Sequence, residues 1–264
     1  SWLRVRSDER RGDLVLTRHS GDMVERPVGW FRSALDDDAL AKLQDAITST
    51  KWNDLPPPQI GDPTANMLRL SYADGTTKVE REFSVTAQAF IAEITPVMAQ
   101  IQASMSAPLA TPYAAVAVTA EVSPVAAGRV LRMRLRNVGS QPIVITDPRV
   151  ASAAGPRAQL MVAAAPGPMG MPAWTSVPLP PLPKGAASVR LLAAGEELEV
   201  ETTWRPTLRG ACLLQAIWSD YAGPVRAIEG QRPWLPVPAE GPIPGSGPYP
   251  VRGAAFSSYA AFDA

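Results

Sequence analysis

Residues 131–136 constrain the fold of this chain more than any other stretch. Apolar and basic side chains alternate there without a break, as Leu131, Arg132, Met133, Arg134, Leu135 and Arg136. Successive side chains of a β-strand point to opposite faces, so the pattern predicts a strand with one apolar face and one face of guanidinium groups. Residues 137–140 then supply turn-forming side chains, and residues 143–145 predict a β-branched return strand over the same core. The pair predicts the centre of an antiparallel β-sandwich.

A second predicted strand carries the opposite charge. Residues 197–204 place Glu197, Glu199 and Glu201 on one face and mainly apolar side chains on the other. If this strand lies beside residues 131–136, arginine and glutamate pair across the two strands and stabilise the sheet. The alternative for the arginine row is an anionic partner. A glutamate-paired or solvated sheet face is the preferred interpretation.

Residues 113–222 are predicted to form an all-β domain. Further strands are predicted at 115–122, 158–163, 188–192 and 211–219. Residues 212–218 are apolar on both faces, which predicts a strand at the centre of its sheet. Residues 164–184 are rich in proline, which prevents a hydrogen-bonded ladder and predicts a long loop packed on the sandwich or on a partner.

Residues 13–105 are predicted to form a small α+β domain in which two helices cover one face of an antiparallel sheet. The predicted order is ββαββα, with strands at 14–17 and 28–32, a helix from 33 to about 48, a hairpin of 67–72 with 77–83, and a helix over 86–105. Pro96 is expected to kink or divide the second helix. Residues 1–12 form a tether or an edge segment in this interpretation, and residues 106–112 link the two domains.

Three consecutive aspartates mark the start of the first predicted helix. Ser33 is the predicted cap, with Asp36 three residues later and Asp37 and Asp38 in a first turn where the helix dipole favours negative charge. A calcium site is the alternative, but a calcium-binding loop alternates its ligands and needs a glycine bend. This run has neither feature, so helix capping is the prediction.

Residues 223–264 form a predicted extended tail in which proline and glycine are mixed with spaced aromatic residues. Disordered segments are normally poor in aromatics, and extended proline-rich backbone loses little entropy when it docks. We therefore expect residues 230–264 to lie on another surface, either this chain's own domains or a neighbouring subunit. With the proline-rich loop and the arginine row, the candidate partner-binding residues are Trp174, Trp234, Leu235, Tyr249, Phe256, Tyr259, Phe262, Arg132, Arg134 and Arg136.

A family resemblance in the all-β region rests on two segments, L-R-M-R-L-R-N-V-G-S-Q-P-I-V-I and L-A-A-G-E-E-L-E-V-E-T-T-W. They resemble the bacterial immunoglobulin-like sandwiches over roughly residues 113–222. Those sandwiches occur as adhesive or spacer modules and seldom carry catalytic residues. The resemblance therefore implies an immunoglobulin-like fold with a structural or binding role.

A fainter resemblance covers roughly residues 13–105. It rests on L-V-L-T-R-H-S-G, on a helix that ends before W-N-D-L-P, and on the hairpin and helix that follow. These features are similar to emfourin-type inhibitors of thermolysin-like metalloproteases, whose first turn is typically rich in glycine. Gly21-Asp22-Met23 is a partial match to that turn. The resemblance implies an inhibitory role for the N-terminal region.

Charge and composition narrow the classes of function. Lys plus Arg and Asp plus Glu both number 25, so no net field favours nucleic acid or an anionic membrane surface. No apolar run reaches the roughly 18 residues needed for a membrane span. One cysteine excludes an intrachain disulfide and leaves the compartment undecided, with a periplasmic or extracellular location slightly favoured over the cytoplasm.

Few side chains suit catalysis. His19 is the single histidine, which excludes mechanisms that need two imidazoles, and consecutive loop residues such as His19, Ser20 and Asp22 rarely reach triad geometry. Cys212 lies in an apolar strand and is expected to be a small buried hydrophobe. We therefore predict that the chain is not an enzyme and has no cofactor, metal or small-molecule substrate.

Two hypotheses of function follow from these patterns. The first is a non-catalytic accessory or structural subunit of a bacterial multi-protein assembly, which binds other protein subunits through its C-terminal tail and proline-rich loop. The alternative is a protein inhibitor of a thermolysin-like metalloprotease that acts through the N-terminal domain.

Overall fold

The computed structural model consists mostly of β-strands in antiparallel sheets. It describes residues 2–6, 11–16, 27–49, 67–74, 77–84, 99–100, 103, 111–126, 128–152, 155–166, 172–220, 247–251 and 253–263. The strands are β1 (Trp2–Arg6), β2 (Arg11–Leu16), β3 (Val28–Ala34), β4 (Met67–Asp74), β5 (Thr77–Ser84), β6 (Pro112–Val125), β7 (Gly128–Asn137), β8 (Ile143–Thr146), β9 (Ala151–Ser152), β10 (Gly155–Pro156), β11 (Ala158–Ala164), β12 (Thr175–Val177), β13 (Val189–Leu192), β14 (Glu197–Trp204), β15 (Ala211–Asp220), β16 (Tyr249–Pro250), β17 (Gly253–Phe256) and β18 (Ala260–Asp263). The helix α1 spans Asp37–Ser49.

The largest sheet has six strands in the order β1-β2-β3-β6-β7-β14. The alternation predicted for residues 131–136 is present in β7, where Leu131, Met133 and Leu135 are fully buried and the arginines lie on the other face. β3 pairs with β6, so strands from before and after the predicted linker belong to one sheet. β1, within the predicted tether, pairs with β2 at the sheet edge. The division into two domains stays a prediction.

The helix α1 begins where its aspartates predict, but its cap differs. Ser33 lies in β3 rather than at the helix start. The Asp36 carboxylate caps α1 instead, because its Oδ1 accepts a hydrogen bond of 2.7 Å from the Ala39 amide. Ser33 as cap was therefore wrong, since the strand continues to Ala34 and leaves Asp36 as the first residue that can bond the free amides of the first turn.

Two smaller sheets complete the core. One has the order β12-β11-β15-β17, with β18 also pairing with β15, and the other has the order β13-β8-β16. Side chains from β6, β7, β8, β11 and β15 pack in one hydrophobic cluster. β15 has partners on both sides, which confirms the prediction that residues 212–218 form a central strand. The architecture is compatible with a β-sandwich.

The strand after β7 joins a different sheet. β8 pairs with β13 and β16, so residues 138–142 carry the chain from the six-stranded sheet to the three-stranded one instead of forming a hairpin turn. Ile143 and Ile145 nevertheless pack in the same core as Leu131, as the sequence predicts. A turn-forming sequence thus predicts that the chain changes direction but not which sheet it enters.

Asn137 fixes this crossing between sheets. Its side chain is fully buried, and Nδ2 donates to the carbonyl oxygens of Gln141 at 2.8 Å, Leu192 at 3.1 Å and Ala193 at 3.0 Å. Its Oδ1 accepts from the Gly139 amide at 3.0 Å. One amide side chain therefore holds the crossing segment against the turn before β14.

The tail contains strands that its sequence does not reveal. Residues 249–263 form β16, β17 and β18 on the chain's own sheets, whereas the tail was predicted to be extended without regular structure. Its strands are short and pair with two different neighbours, β8 and β15, so no single alternation runs through them. The expectation that the tail lies on another surface holds for these residues, because that surface is this chain.

Several predicted features lie outside the described residues. Of the second predicted helix, residues 99–100 and 103 are described, and they are helical. The predicted hairpin is present, because β4 and β5 pair antiparallel around residues 75 and 76. An N-terminal α+β domain and an immunoglobulin-like sandwich stay predictions.

Candidate partner-binding surface

The arginine row of β7 is paired with the glutamates of β14. Register places Arg132 opposite Glu201, Arg134 opposite Glu199 and Arg136 opposite Glu197. The Nε atoms of the three arginines lie 3.1 Å, 2.8 Å and 3.7 Å from the facing carboxylates, in that order. The preferred interpretation, a glutamate-paired face, is thus what the structure shows.

Carboxylates reach this row from two strands. Arg134 Nη1 also bonds Glu121 on β6, and Arg132 Nε lies 3.5 Å from Glu199 as well as near Glu201. Each added anionic neighbour lowers the positive potential that a negatively charged partner would meet. Arg136, with 57% of its side chain exposed and its glutamate at 3.7 Å, is the loosest of the three pairs.

The proline-rich loop and the tail meet at two aromatic rings. Trp174, just before β12, packs on Tyr259 of the tail with 5.2 Å between ring centroids. Both side chains are half-buried, so each ring keeps part of its surface exposed. Sequence reasoning named both residues as candidates, and the structure brings them together.

The prediction that residues 164–184 form no hydrogen-bonded ladder was wrong for Thr175–Val177, which form β12 and pair with β11. Val177 is buried and lies opposite Leu160 of β11, while Thr202 Oγ1 donates to the Pro178 carbonyl at 3.2 Å. The described part of the loop is therefore packed on the sheets, one of the two placements predicted for it. Trp174 consequently has a defined position beside the tail.

A second aromatic pair joins β18 to the end of β14. Phe262 packs edge-on against Trp204 at the end of β14, with 5.8 Å between centroids, and both are half-buried. Arg129 Nη2 donates to the Asp263 carbonyl at 2.8 Å, which ties the end of the tail to the start of β7. Tyr259 and Phe262 thus lie on one short segment, each against a tryptophan.

Tyr249 occupies the interior. It is 1% exposed, packs against Trp30 at 5.5 Å and Tyr113 at 5.4 Å, and its hydroxyl lies 3.1 Å from that of Tyr113. The hydrogen bond to Tyr113, with burial, raises the pKa of Tyr249. Phe256, on β17, is half-buried opposite Ile217. Partner binding by either residue stays a prediction, and Tyr249 has almost no surface for it in this chain.

Two buried aspartates were not singled out by sequence reasoning. Asp147 is fully buried and accepts hydrogen bonds from Arg149 Nη2 at 2.8 Å and Arg190 Nε at 3.0 Å. Burial alone raises the pKa of Asp147, but the bonds from the side chain and amide of Arg149 and from Arg190 outweigh it and lower the pKa to about 2. Arg149 is only two residues away, whereas Arg190 is brought to Asp147 by the pairing of β13 with β8, which the sequence does not reveal.

The second buried carboxylate also contacts the end of β8. Asp220, at the end of β15, bonds Arg157 and accepts from the Thr146 amide at 3.1 Å. Thr146 immediately precedes Asp147, so both carboxylates lie at the end of β8. Each already has arginine and amide donors, which is typical of structural ion pairs rather than of a ligand site.

The described residues give no group of three or more His, Cys, Asp or Glu side chains placed to hold a metal ion. Cys212 is buried, and burial, together with the charge of Asp263, raises the pKa of its thiol, which disfavours the reactive thiolate. Among the described segments, none forms a helix with the length and hydrophobicity needed to cross a membrane.

The remaining candidates lie outside the described residues. These are Trp234 and Leu235 of the tail, together with His19, Ser20 and Gly21-Asp22-Met23 of the inhibitor-like turn. Their roles stay predictions, and so does inhibition of a metalloprotease. No protein-family model matches the chain, and no curated protein sequence matches it either.

Proposed function

We propose that this chain is a non-catalytic accessory or structural subunit of a bacterial multi-protein assembly, which binds another protein through a surface formed by the proline-rich loop and the tail. We call this surface the loop–tail surface and define it by Trp174 and Tyr259. The observation that carries the proposal is the contact between Trp174 and Tyr259, because it joins two segments that are far apart in sequence into one half-exposed aromatic patch.

The chemistry of the loop–tail surface suits a protein partner. Aromatic side chains supply large contact areas at low entropic cost and are enriched where proteins meet. The two rings immediately precede β12 and β18, which are paired in the sheets, so a partner would not need to order them. The arginine row is a weaker candidate, since its guanidinium groups are already paired with glutamates.

The test is capture of a partner by the full chain from an extract of its native source. Tagged wild-type protein, Trp174→Ala and Tyr259→Ala are compared with Leu191→Ala, a matched control that removes an apolar side chain 60% exposed on β13. The wild type and Leu191→Ala should retain one and the same protein, and the two aromatic variants should lose most of it. Melting temperatures within a few degrees of wild type show that the variants fold.

Equal capture by all four proteins would contradict the loop–tail surface. Release of the retained protein by excess untagged wild type would show that capture is specific. The non-catalytic role would be contradicted by an enzyme activity of the purified wild type that Trp174→Ala retains. Substitution of buried polar residues would have to abolish that activity.

A further inference from the structure

The tail is inserted between two strands of the core. On one side, Tyr249 N donates to Pro142 O at 3.0 Å and Val251 N donates to Val144 O at 3.1 Å, along β8. On the other side, β17 pairs with β15, with Ala255 opposite Trp218. Residues 249–251 and 253–257 therefore join the sheets of β8 and β15. We call the space that they fill the strand slot.

The tail is buried and hydrogen-bonded in the strand slot. Tyr249, Val251, Ala255 and Ser257 are each at most 1% exposed within it. Ser257 exchanges two hydrogen bonds with the backbone of Ala216, at 2.9 Å and 2.8 Å. Without the tail, the facing edges of β8 and β15 would lose these partners and a cavity would open beside the core, which is costly.

The connection between β15 and the tail is much longer than the pairing of these strands requires. Asp220 and Gly253 are direct cross-strand partners, a geometry that hairpin loops of about two to five residues can close. The chain instead has 28 residues, 221–248, between the end of β15 and Tyr249. A connection of that length can extend to about 90 Å, enough to reach the slot of a second molecule.

We infer that the strand slot also accepts the tail of a second copy of this chain, so that two molecules exchange residues 249–263. The contacts of an exchanged tail are the same as those described above, because the segment and the slot are identical in every copy. The ratio of exchanged to unexchanged tails then depends on the length of the connection and on the protein concentration. A connection of 28 residues gives an effective concentration in the millimolar range or below, so exchange increases as the protein concentration approaches that range.

The register of β18 provides a direct test. Cys212 lies opposite Phe262, and directly opposed residues of an antiparallel pair point to the same face. The donor is the full chain with Cys212→Ser and Phe262→Cys, and the acceptor is the wild type. Neither can form the 212–262 disulfide alone. The two are unfolded in urea under reducing conditions, mixed, refolded and then treated with oxidised glutathione, which accepts the two electrons when the disulfide forms.

The matched control is the full chain with Cys212→Ser and Ala261→Cys, since Ala261 lies opposite Leu213 on the other face of the strand. Exchange predicts a donor–acceptor dimer that is sensitive to reductant, absent with the control, and several-fold more abundant when the total protein concentration is raised about tenfold. Absence of that dimer, while Phe262→Cys alone closes an intrachain disulfide with Cys212, would overturn the inference. Equal cross-linking of donor and control would overturn it as well.

Light scattering on unmodified wild type keeps the inference testable if Phe262→Cys impairs folding. Refolding at increasing concentration should give a dimer that persists after dilution, because release of an exchanged strand requires the slot to open. A monomer at every concentration up to about 1 mM would overturn strand exchange. That outcome would leave the loop–tail surface and its partner untouched.

Discussion

Glu199 on β14 lies directly opposite Arg134 on β7, and its Oε2 accepts a hydrogen bond of 2.8 Å from Arg134 Nε. Arg134 also bonds Glu121 on β6, so one guanidinium joins three adjacent strands. The hydrogen bond to Glu199 raises the pKa of Arg134, and the charge of Glu121 adds to the effect despite some desolvation. The sheet face therefore depends on alternation of charge between strands.

Reversing one charge should destabilise this face, and reversing both should restore it. Arg134→Glu places a third carboxylate beside Glu121 and Glu199, and we expect the melting temperature to fall by roughly 2–5 °C at low salt. The double variant Arg134→Glu with Glu199→Arg should recover part of that loss. Thermal unfolding followed by circular dichroism measures the melting temperatures of both variants. Salt at 1 M should reduce the differences between these temperatures. Arg136→Glu is the control, with a smaller expected loss because Arg136 is more exposed. Identical melting of the single and double variants would contradict the pairing.

The buried carboxylate of Asp147 should make stability depend on acid pH. Its pKa in the folded protein is about 2, below the ordinary value of 3.8, so the folded state binds its proton less tightly than the unfolded state. The resulting stabilisation is fully present above about pH 4, is lost as the pH falls toward 2, and amounts to roughly 2 kcal/mol. Asp147→Asn should remove this stabilisation, so the free energy of unfolding should depend less on pH in that range. Urea unfolding between pH 2 and pH 6 measures the effect. Asp45→Asn, an exposed change on α1, should retain the wild-type slope.

Asn137 should be one of the most sensitive polar residues of the chain. Asn137→Ala leaves three carbonyl oxygens and the Gly139 amide without their partner at a buried site, which we expect to cost about 2–4 kcal/mol. Asn137→Asp separates the two sets of hydrogen bonds, because its carboxylate can still accept from the Gly139 amide but cannot donate to the three carbonyl oxygens. Ser140→Ala, an exposed change in the same crossing segment, is the matched control. Urea midpoints that are equal for Asn137→Ala and Ser140→Ala would contradict this role.

The strands that sequence reasoning predicted best are those whose faces differ in polarity. Residues 131–136 and 197–204 each combine one charged face with one mainly apolar face, so the strands and their faces follow from periodicity, while their opposite charges made pairing one possibility. Residues 212–218 were predicted to be central because both faces are apolar. In each case the signal lies within a single stretch.

Other pairings between distant segments gave no such signal. β8 follows a turn-forming sequence, yet it joins β13 and β16 because Asn137 holds the crossing segment to residues 192 and 193. Tyr249 was predicted as a partner-binding aromatic of the tail, but it packs against Trp30 and Tyr113 and is buried. The same holds for the candidate surface: each aromatic was identified from sequence, while the contact between Trp174 and Tyr259 depends on two segments separated by about eighty residues.

Tyr249 tests whether the tail belongs to the cooperative core. Tyr249→Ala removes a ring that is 1% exposed, and we expect a loss of about 3–5 kcal/mol in the free energy of unfolding. Tyr249→Phe keeps the ring and removes only the contact with the Tyr113 hydroxyl, which should cost about 1 kcal/mol. Urea denaturation followed by tryptophan fluorescence reports both, since Trp30 lies 5.5 Å from the Tyr249 ring.

Tyr259→Ala is the matched control for Tyr249→Ala, because it removes a half-buried tyrosine from the same tail. Its loss should be clearly smaller, since Tyr259 packs on a partly exposed tryptophan and fills no interior pocket. If Tyr249→Ala unfolded at the same urea midpoint as wild type, the tail would have to detach before the rest of the molecule unfolds. If instead Tyr249→Ala lowers the midpoint with an unchanged denaturant slope, the last residues of the chain unfold together with β8 and β15 as one cooperative unit.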